Sequence, residues 1–296
     1  MSINRLEDFL KKFFTEEKKN LLLNYPGLTL HRLRSDIKLH AMLNGVDSEE
    51  LFLELYIPYR SNPITLFFEK LKMGVPLEYI TGRAYFYRSS FKVTSDVLIP
   101  RSETEILVEL ASQEIQKNYR NKKCSLADIG TGSGVIALSL AMEEFADLDI
   151  WATDLSEKAL SIAKENFFNH RFVITARHSI HFVNCDRLSG IDGNFDIILS
   201  NPPYIKRKGD LDLVHHQVLS HEPMMALFLD DNLYAIWFED FFKSIFQKLN
   251  PEGMSLIEGH ESHLEELAQM AIKIGFAKVD VIKDYTGRNR FLRMKK

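Results

Sequence analysis

The sequence predicts an α/β protein in which a small helical domain and a β-hairpin linker precede a doubly wound parallel sheet. Three observations carry this expectation. From Ser125 onward, short apolar runs alternate with stretches of helical period, as strands joined by crossover helices do. Ahead of residue 76 the apolar residues recur at three- and four-residue steps, the signature of helices. Between the first strand and its helix lie Gly130, Gly132 and Gly134, a turn in which the backbone can bend sharply and approach a ligand.

The chain has 296 residues, room for about two domains at ~150 residues each. Residues 1–76 read as the helical domain. Leu6, Phe9, Leu10 and Phe13 form one stripe, and Leu30, Leu33, Ile37 and the run 39–43 continue it. Asp47-Ser48-Glu49-Glu50 reads as a helix start with acidic residues in its first turn. Pro63 takes the first position of another helix, which carries Leu66, Phe67, Phe68 and Leu71 and stops at Met73-Gly74-Val75-Pro76. Residues 77–100 are the linker, with Ala84-Tyr85-Phe86-Tyr87 and Phe91-Lys92-Val93 flanking the polar turn Arg88-Ser89-Ser90. Residues 101–296 hold the sheet. Its strands are expected at 125–129, 149–153, 181–184, 195–200, 254–258 and 278–282. Its helices are expected at 135–142, at 156–168 with Ser156 as the cap, at 237–249 and at 264–274.

Composition narrows the class. Hydrophobic residues make up 45% and charged residues 26%, which excludes a disordered tail, a collagen-like repeat and a small disulfide scaffold. The net charge of −4 gives no electrostatic excess for holding a polyanion; it excludes no nucleic-acid partner but lends one no support, and no direct nucleic-acid contact is expected. No stretch approaches the ~18 uninterrupted apolar residues of a membrane span. The polar, acidic start is unlike a signal peptide. Cys124 and Cys185 lack metal-ligand spacing, so the expectation is a reducing cytoplasm, no membrane and no metal.

Two stretches carry chemistry. The first is Ala127-Asp128-Ile129-Gly130-Thr131-Gly132-Ser133-Gly134, after which the helix N-terminus presents free amides suited to a carboxylate. Asp154 ends the next strand, where a carboxylate can accept both hydroxyl hydrogens of a ribose. A dinucleotide fingerprint reads G-x-G-x-x-G/A, but here Val135 occupies its third position and Gly134 comes one residue early. The G-x-G-x-G form resembles instead the S-adenosylmethionine loop of Rossmann-like methyltransferases. Asp128 stands where it can bind that cofactor or cap local amides.

The second stretch ends a buried strand with Asn201-Pro202-Pro203-Tyr204, at the carboxyl edge where open α/β sheets bind ligands. The prolines remove two amide donors and leave carbonyls free to accept. The Asn201 side-chain oxygen and the Pro202 carbonyl can hold both hydrogens of a planar NH₂ group while Tyr204 packs on its face. Such a nitrogen must be held, because amide resonance makes it a poor nucleophile. Acceptors on its hydrogens return electron density to it, and they help most as positive charge develops there in the transition state.

Over most of its length the chain resembles the HemK-type glutamine methyltransferases that modify peptide-chain release factors. The residues that carry the likeness are Tyr79-Ile80, Gly82, Phe86, Phe91, Val93, Val97-Leu98-Ile99-Pro100-Arg101 and Ser102-Glu103-Thr104-Glu105. Glu222-Pro223, Ala226-Leu227, Glu258-Gly259 and Gly287-Arg288-Asn289-Arg290 match as well. The resemblance implies that Gly130, Thr131, Gly132, Ser133, Gly134 and Asp154 bind S-adenosylmethionine, leaving S-adenosyl-L-homocysteine as product. It implies that Asn201, Pro202, Pro203 and Tyr204 hold a glutamine, with Asn201 also expected among the cofactor-binding residues. A Gly-Gly-Gln loop on the release factor is then the target, and the N-terminal helices grip that factor. The family carries an aromatic over the adenine after Cys185-Asp186, where this chain has Arg187, so Asp186 and Arg187 are the expected cofactor contacts there. Phe228-Leu229-Asp230-Asp231-Asn232 replaces a glycine-rich turn.

Other residues have plainer readings. His215, His216 and His221 are solvated loop histidines, since methyl transfer from a sulfonium needs no Lewis acid. Arg101, Glu103 and Glu105 are either a salt-bridged helix start or a wall of the substrate channel. Two rival functions stand beside glutamine methylation: methylation of a nucleic-acid exocyclic amine, and non-catalytic binding on the same scaffold. A monomer is expected.

Overall fold

The computed structural model describes residues 2–45 and 63–296, so the helix start expected at Asp47-Ser48-Glu49-Glu50 lies outside the described residues. Contacts divide the chain into two compact units, Met1–Arg83 with Val214–Glu222 and Ala84–Leu213 with Pro223–Lys296.

The first unit is helical, with helices Ser2–Glu16, Lys18–Asn24, Leu30–Leu43, Pro63–Lys72 and Leu77–Thr81. Pro63 stands first in its helix, where no amide donor is needed. Thr29 caps the third helix by accepting from the Arg32 amide. Leu10, Phe13, Leu33, Ile37, Phe67, Phe68 and Leu71 meet in one core, and Phe9 and Leu66 lie on its exposed rim. Tyr25 ties the unit together by placing its one hydroxyl hydrogen between the Val75 carbonyl at 2.6 Å and the Leu71 carbonyl at 3.0 Å. The helix His216–His221, distant in sequence, belongs here too. Gln217 donates to the Gly74 carbonyl at 2.8 Å, and His216 Nε2 lies 2.7 Å from Asn24 Oδ1.

The second unit opens on the hairpin of β1 (Arg83–Phe86) and β2 (Ser89–Lys92). Its turn is Tyr87-Arg88, both at positive φ, rather than Arg88-Ser89-Ser90. A two-residue turn of that hand matches the twist of the strands. Phe86 and Phe91 are buried edge to face.

Seven strands form the main sheet: β3 (Cys124–Ile129), β4 (Leu148–Asp154), β5 (Ser179–Asn184), β6 (Phe195–Ser200), β9 (Leu249–Glu258), β10 (Lys278–Lys283) and β11 (Asn289–Lys295). The short pair β7 (Ile205–Lys206) and β8 (Phe228–Leu229) lies outside it. The order is β10-β11-β9-β6-β3-β4-β5. Strands β9, β6, β3, β4 and β5 are parallel, whereas β11 runs antiparallel to both β9 and β10. The doubly wound parallel sheet thus carries an antiparallel edge that strand–helix alternation did not announce. The turn at residues 284–288 joins β10 to β11 directly, and so short a connection permits only an antiparallel hairpin.

Both faces of the sheet are covered. Leu126, Ile150, Ile197 and Leu199 point into one core, and Ala127, Ile129 and Ile198 into the other. The helix Tyr234–Lys248 buries Phe238, Phe241 and Phe242 in the second core. The helix Val135–Glu143 is buried from Val135 to Ala141. Gly134 begins it at φ 84°, and a Cβ there would stand 3.1 Å from Leu138 Cδ1 and 3.2 Å from Ala163 Cβ. Gly134→Ala is expected to lower the unfolding free energy in urea by ~1–3 kcal/mol. An unchanged denaturation midpoint would show that Leu138 and Ala163 yield freely.

Candidate active site

Strand order places two loops side by side. β4 and β5 follow β3 on one side, and β6 returns to its other side, so the loops after β3 and β6 leave the same edge in opposite directions. Ile129 pairs with Ser200 across that edge, and Ser200 Oγ donates to the Ile129 carbonyl at 2.7 Å. The glycine turn and the tetrapeptide begin at the next residues.

In the glycine turn, Gly130 and Gly132 take φ values of 70° and 57°, and a Cβ on either would project into open space. Asp154 Oδ2 accepts from the Gly132 amide at 2.9 Å and Oδ1 accepts from the Ser156 amide at 2.8 Å. Two backbone donors thus fix the carboxylate plane, while burial raises its proton affinity.

Asp128 is fully buried below the turn. Its Oδ2 accepts from Thr131 Oγ1 at 2.6 Å and from the Ala137 amide at 3.2 Å. It shapes the loop and starts the helix from beneath. Burial pushes its carboxyl up to about 6. The protonated form therefore favours the folded state. Its stabilisation is complete below the unfolded value of ~4 and is lost as pH rises through about 6. The stability of the parent relative to Asp128→Asn is expected to fall between pH 4 and pH 6.5, by on the order of 3 kcal/mol. Paired thermal or urea denaturation across that range measures it, and a flat difference would mean an ordinary aspartate.

In the second loop, Asn201 Nδ2 donates to Thr104 Oγ1 at 3.1 Å, so the end of the amide left for the cavity is the oxygen. Tyr204 donates its hydroxyl to Glu258 Oε1 at 3.0 Å. Burial first, and then the Glu258 charge, hold that phenol protonated.

A cavity of about 310 Å³ opens over both loops. Its walls include Gly130 to Ser133, Asp154 to Ser156, Cys185 to Arg187, Asn201 to Pro203, Pro100 and Thr104. The cavity brings together most of the residues singled out from sequence. Asp128, Gly134, Arg101, Glu103 and Tyr204 are outside its wall. Asp128 and Gly134 support the turn from behind, and Tyr204 reaches Glu258 instead. Glu103 accepts from Ser102 Oγ within the short helix Ser102–Thr104, and Glu105 accepts from the Tyr87 amide of the hairpin.

Sequence reading passed over Val97, Thr104 and Trp237 as cavity residues. Thr104 lay inside the Arg-x-Glu-Thr-Glu stretch, a signal that was available. Trp237 belongs to the helix Tyr234–Lys248, outside both motifs, and only packing brings it there. Arg187 lines the cavity at φ 56°, with its guanidinium 5.1 Å from the Trp237 ring and 5.9 Å from that of Phe241. One face of the guanidinium is thus taken by aromatic partners of the protein itself.

Among the described residues, one group outside the cavity gathers metal-ligating atoms: those of Asp210, His260 and His263 lie within 4.8 Å of one another. Asp210 already accepts from the Lys206 amide at 2.8 Å and sits 3.1 Å from His263 Nε2, so it fastens the loop that follows the tetrapeptide. His215, His216 and His221 are not part of such a group. No helix among the described residues is long and apolar enough to cross a membrane.

Comparison with known proteins finds one matching family and three relatives of note. The family described as Methyltransferase small domain matches residues 103–234. A release factor glutamine methyltransferase of Flavobacterium psychrophilum is 34% identical over 227 residues, 76% of this chain and 77% of that protein. One of Streptococcus pneumoniae is 36% identical over 236 residues, 76% of each. A bifunctional methyltransferase of Rickettsia typhi is 30% identical over 91% of this chain and 54% of that protein.

Proposed function

The chain belongs to the release factor glutamine methyltransferases, and on that footing we propose that it methylates the side-chain nitrogen of a glutamine in the Gly-Gly-Gln loop of peptide chain release factors, with S-adenosylmethionine as donor. The observation that carries the reading is the shared sheet edge: the glycine turn and Asn201-Pro202-Pro203 open onto one cavity. The cradle suits the cofactor. Gly130 and Gly132 leave room that any Cβ would fill, and Asp154 is braced to accept from a ribose.

When bound, the cofactor supplies a methyl group on a positively charged sulfur, and S-adenosyl-L-homocysteine is what remains. The protein's task is to make an amide nitrogen attack. Asn201 Oδ1 and the Pro202 carbonyl accept the two amide hydrogens, and Pro203 lines the cavity beside them while Tyr204 braces the loop on Glu258. Both acceptors raise the electron density on a nitrogen that amide resonance otherwise leaves a poor nucleophile. They also stabilise the positive charge that develops on nitrogen, so they act chiefly at the transition state. The reaction forms a carbon–nitrogen bond, breaks a carbon–sulfur bond and releases one amide proton.

The remaining assignments belong to the same reading. Residues 1–76 grip the release factor, 77–100 link the domains, and Arg101 and Glu103 border the approach of the substrate loop. Asp186 and Arg187 contact the cofactor, and the enzyme works as a monomer in the cytoplasm, where termination takes place.

Incubation with methyl-labelled S-adenosylmethionine tests the reading. Label is expected on a release factor and absent from its Gln-to-Ala variant and from duplex DNA. Label on DNA alone, or none anywhere, would overturn it.

A further inference from the structure

Glu258 ends β9 with 1% of its surface exposed, beneath the site and outside the cavity wall. A buried carboxylate needs donors, and two are present. Thr104 Oγ1 donates to its Oε2 at 2.7 Å, and the Tyr204 hydroxyl donates to its Oε1 at 3.0 Å. Thr104 itself is 2% exposed. Its hydroxyl has one hydrogen, and that hydrogen is committed to Glu258. Toward Asn201 it can therefore only accept, and the Asn201 Nδ2 at 3.1 Å is the donor.

We propose that Glu258 is a positioning residue which, through Thr104, fixes the side-chain amide of Asn201 with its oxygen toward the substrate. An asparagine amide is nearly symmetric in shape, so packing alone does not choose between its two orientations. The flipped form would present an NH₂ group to the substrate NH₂, two donors facing each other. The chain Glu258–Thr104–Asn201 removes that choice by hydrogen-bond polarity. Its second arm, to Tyr204, holds the aromatic ring of the same tetrapeptide. One buried carboxylate thus organises both ends of Asn201-Pro202-Pro203-Tyr204. This inference rests on the role given to Asn201 above.

The test is the kinetics of Thr104→Val, which keeps the side-chain shape and removes the hydroxyl, together with Thr104→Ser, which restores it. Thr104→Val is expected to lower kcat by about 10- to 100-fold. KM for the release factor and Kd for S-adenosylmethionine are expected to stay within about twofold, because only the transition state uses the oriented acceptor. Thr104→Ser is expected to recover most of kcat. Glu258→Gln brings a donor into the same position and is expected to lower kcat as well. The double variant Thr104→Val with Glu258→Gln is expected to be little worse than Thr104→Val, the mark of action through one relay. An unchanged kcat in Thr104→Val would overturn the proposal, as would losses that follow a raised Kd or a lowered unfolding temperature. If Asn201→Ala also left turnover intact, the assignment of Asn201 itself would fail. If only the Thr104 and Glu258 variants were silent, the relay alone would.

Discussion

Asn201→Ala is expected to lower turnover by at least ~10²-fold while the Kd for S-adenosylmethionine moves little. Alanine removes the side-chain acceptor that holds one amide hydrogen. The Pro202 carbonyl and the fold of the loop are left in place, because Ser200 anchors the loop to Ile129. The lost interaction strengthens as positive charge grows on nitrogen, so the deficit belongs in kcat rather than in binding. Single-turnover kinetics with a release factor, paired with calorimetric titration of the cofactor, separates the two. A cofactor affinity reduced as much as turnover would place Asn201 in the cofactor site and leave the substrate nitrogen without its side-chain acceptor.

Asp154→Ala is expected to show the opposite pattern, a Kd for S-adenosylmethionine raised by about 10- to 100-fold with a smaller loss of kcat at saturation. The carboxylate is held by the Gly132 and Ser156 amides, so it meets a ribose without reorganising. Hydrogen bonds to a charged acceptor contribute ~1.5–3 kcal/mol each, which is one to two decades in affinity. The substitution also unpairs the Gly132 amide, which loosens the glycine turn. Because burial raises the proton affinity of Asp154, cofactor affinity in the parent is expected to fall as pH drops, beginning above the range of an exposed aspartate. Titrations at several pH values would reveal this, and a Kd unchanged in Asp154→Ala would remove Asp154 from the ribose.

The strands and helices of the main sheet were readable because their apolar periods differ. Residues 195–200 are buried at every position but Asp196, and 157–170 carry a helical stripe capped by Ser156. The first strand of the sheet extends one residue beyond its expected start and the second one beyond each expected end, errors of fraying rather than of type. The strand Asn289–Lys295 was missed: its buried Phe291, Leu292 and Met294 stand among arginines and lysine, a pattern too charged to announce a strand. Val214–Glu222 offered no signal of its membership of the helical unit, since its bonds to Asn24 and Gly74 bridge residues remote in sequence. In the site, the residues by which the two loops line the cavity sit in compact motifs and could be named. Glu258 and Thr104 could be seen only as parts of a family pattern, because each acts through a neighbour that folding supplies.

By itself the sequence determined which chemistry the chain can support. A glycine turn after a strand, an acid at the end of the next, and Asn201-Pro202-Pro203-Tyr204 are local arrangements whose backbone freedom and free acceptors follow from residue type alone. Tertiary structure decided that these arrangements share one cavity, that Asp128 works from beneath the turn, and which end of the Asn201 amide faces outward. Those outcomes depend on strand order and on hydrogen-bond direction between residues far apart in the chain, and no local pattern encodes either.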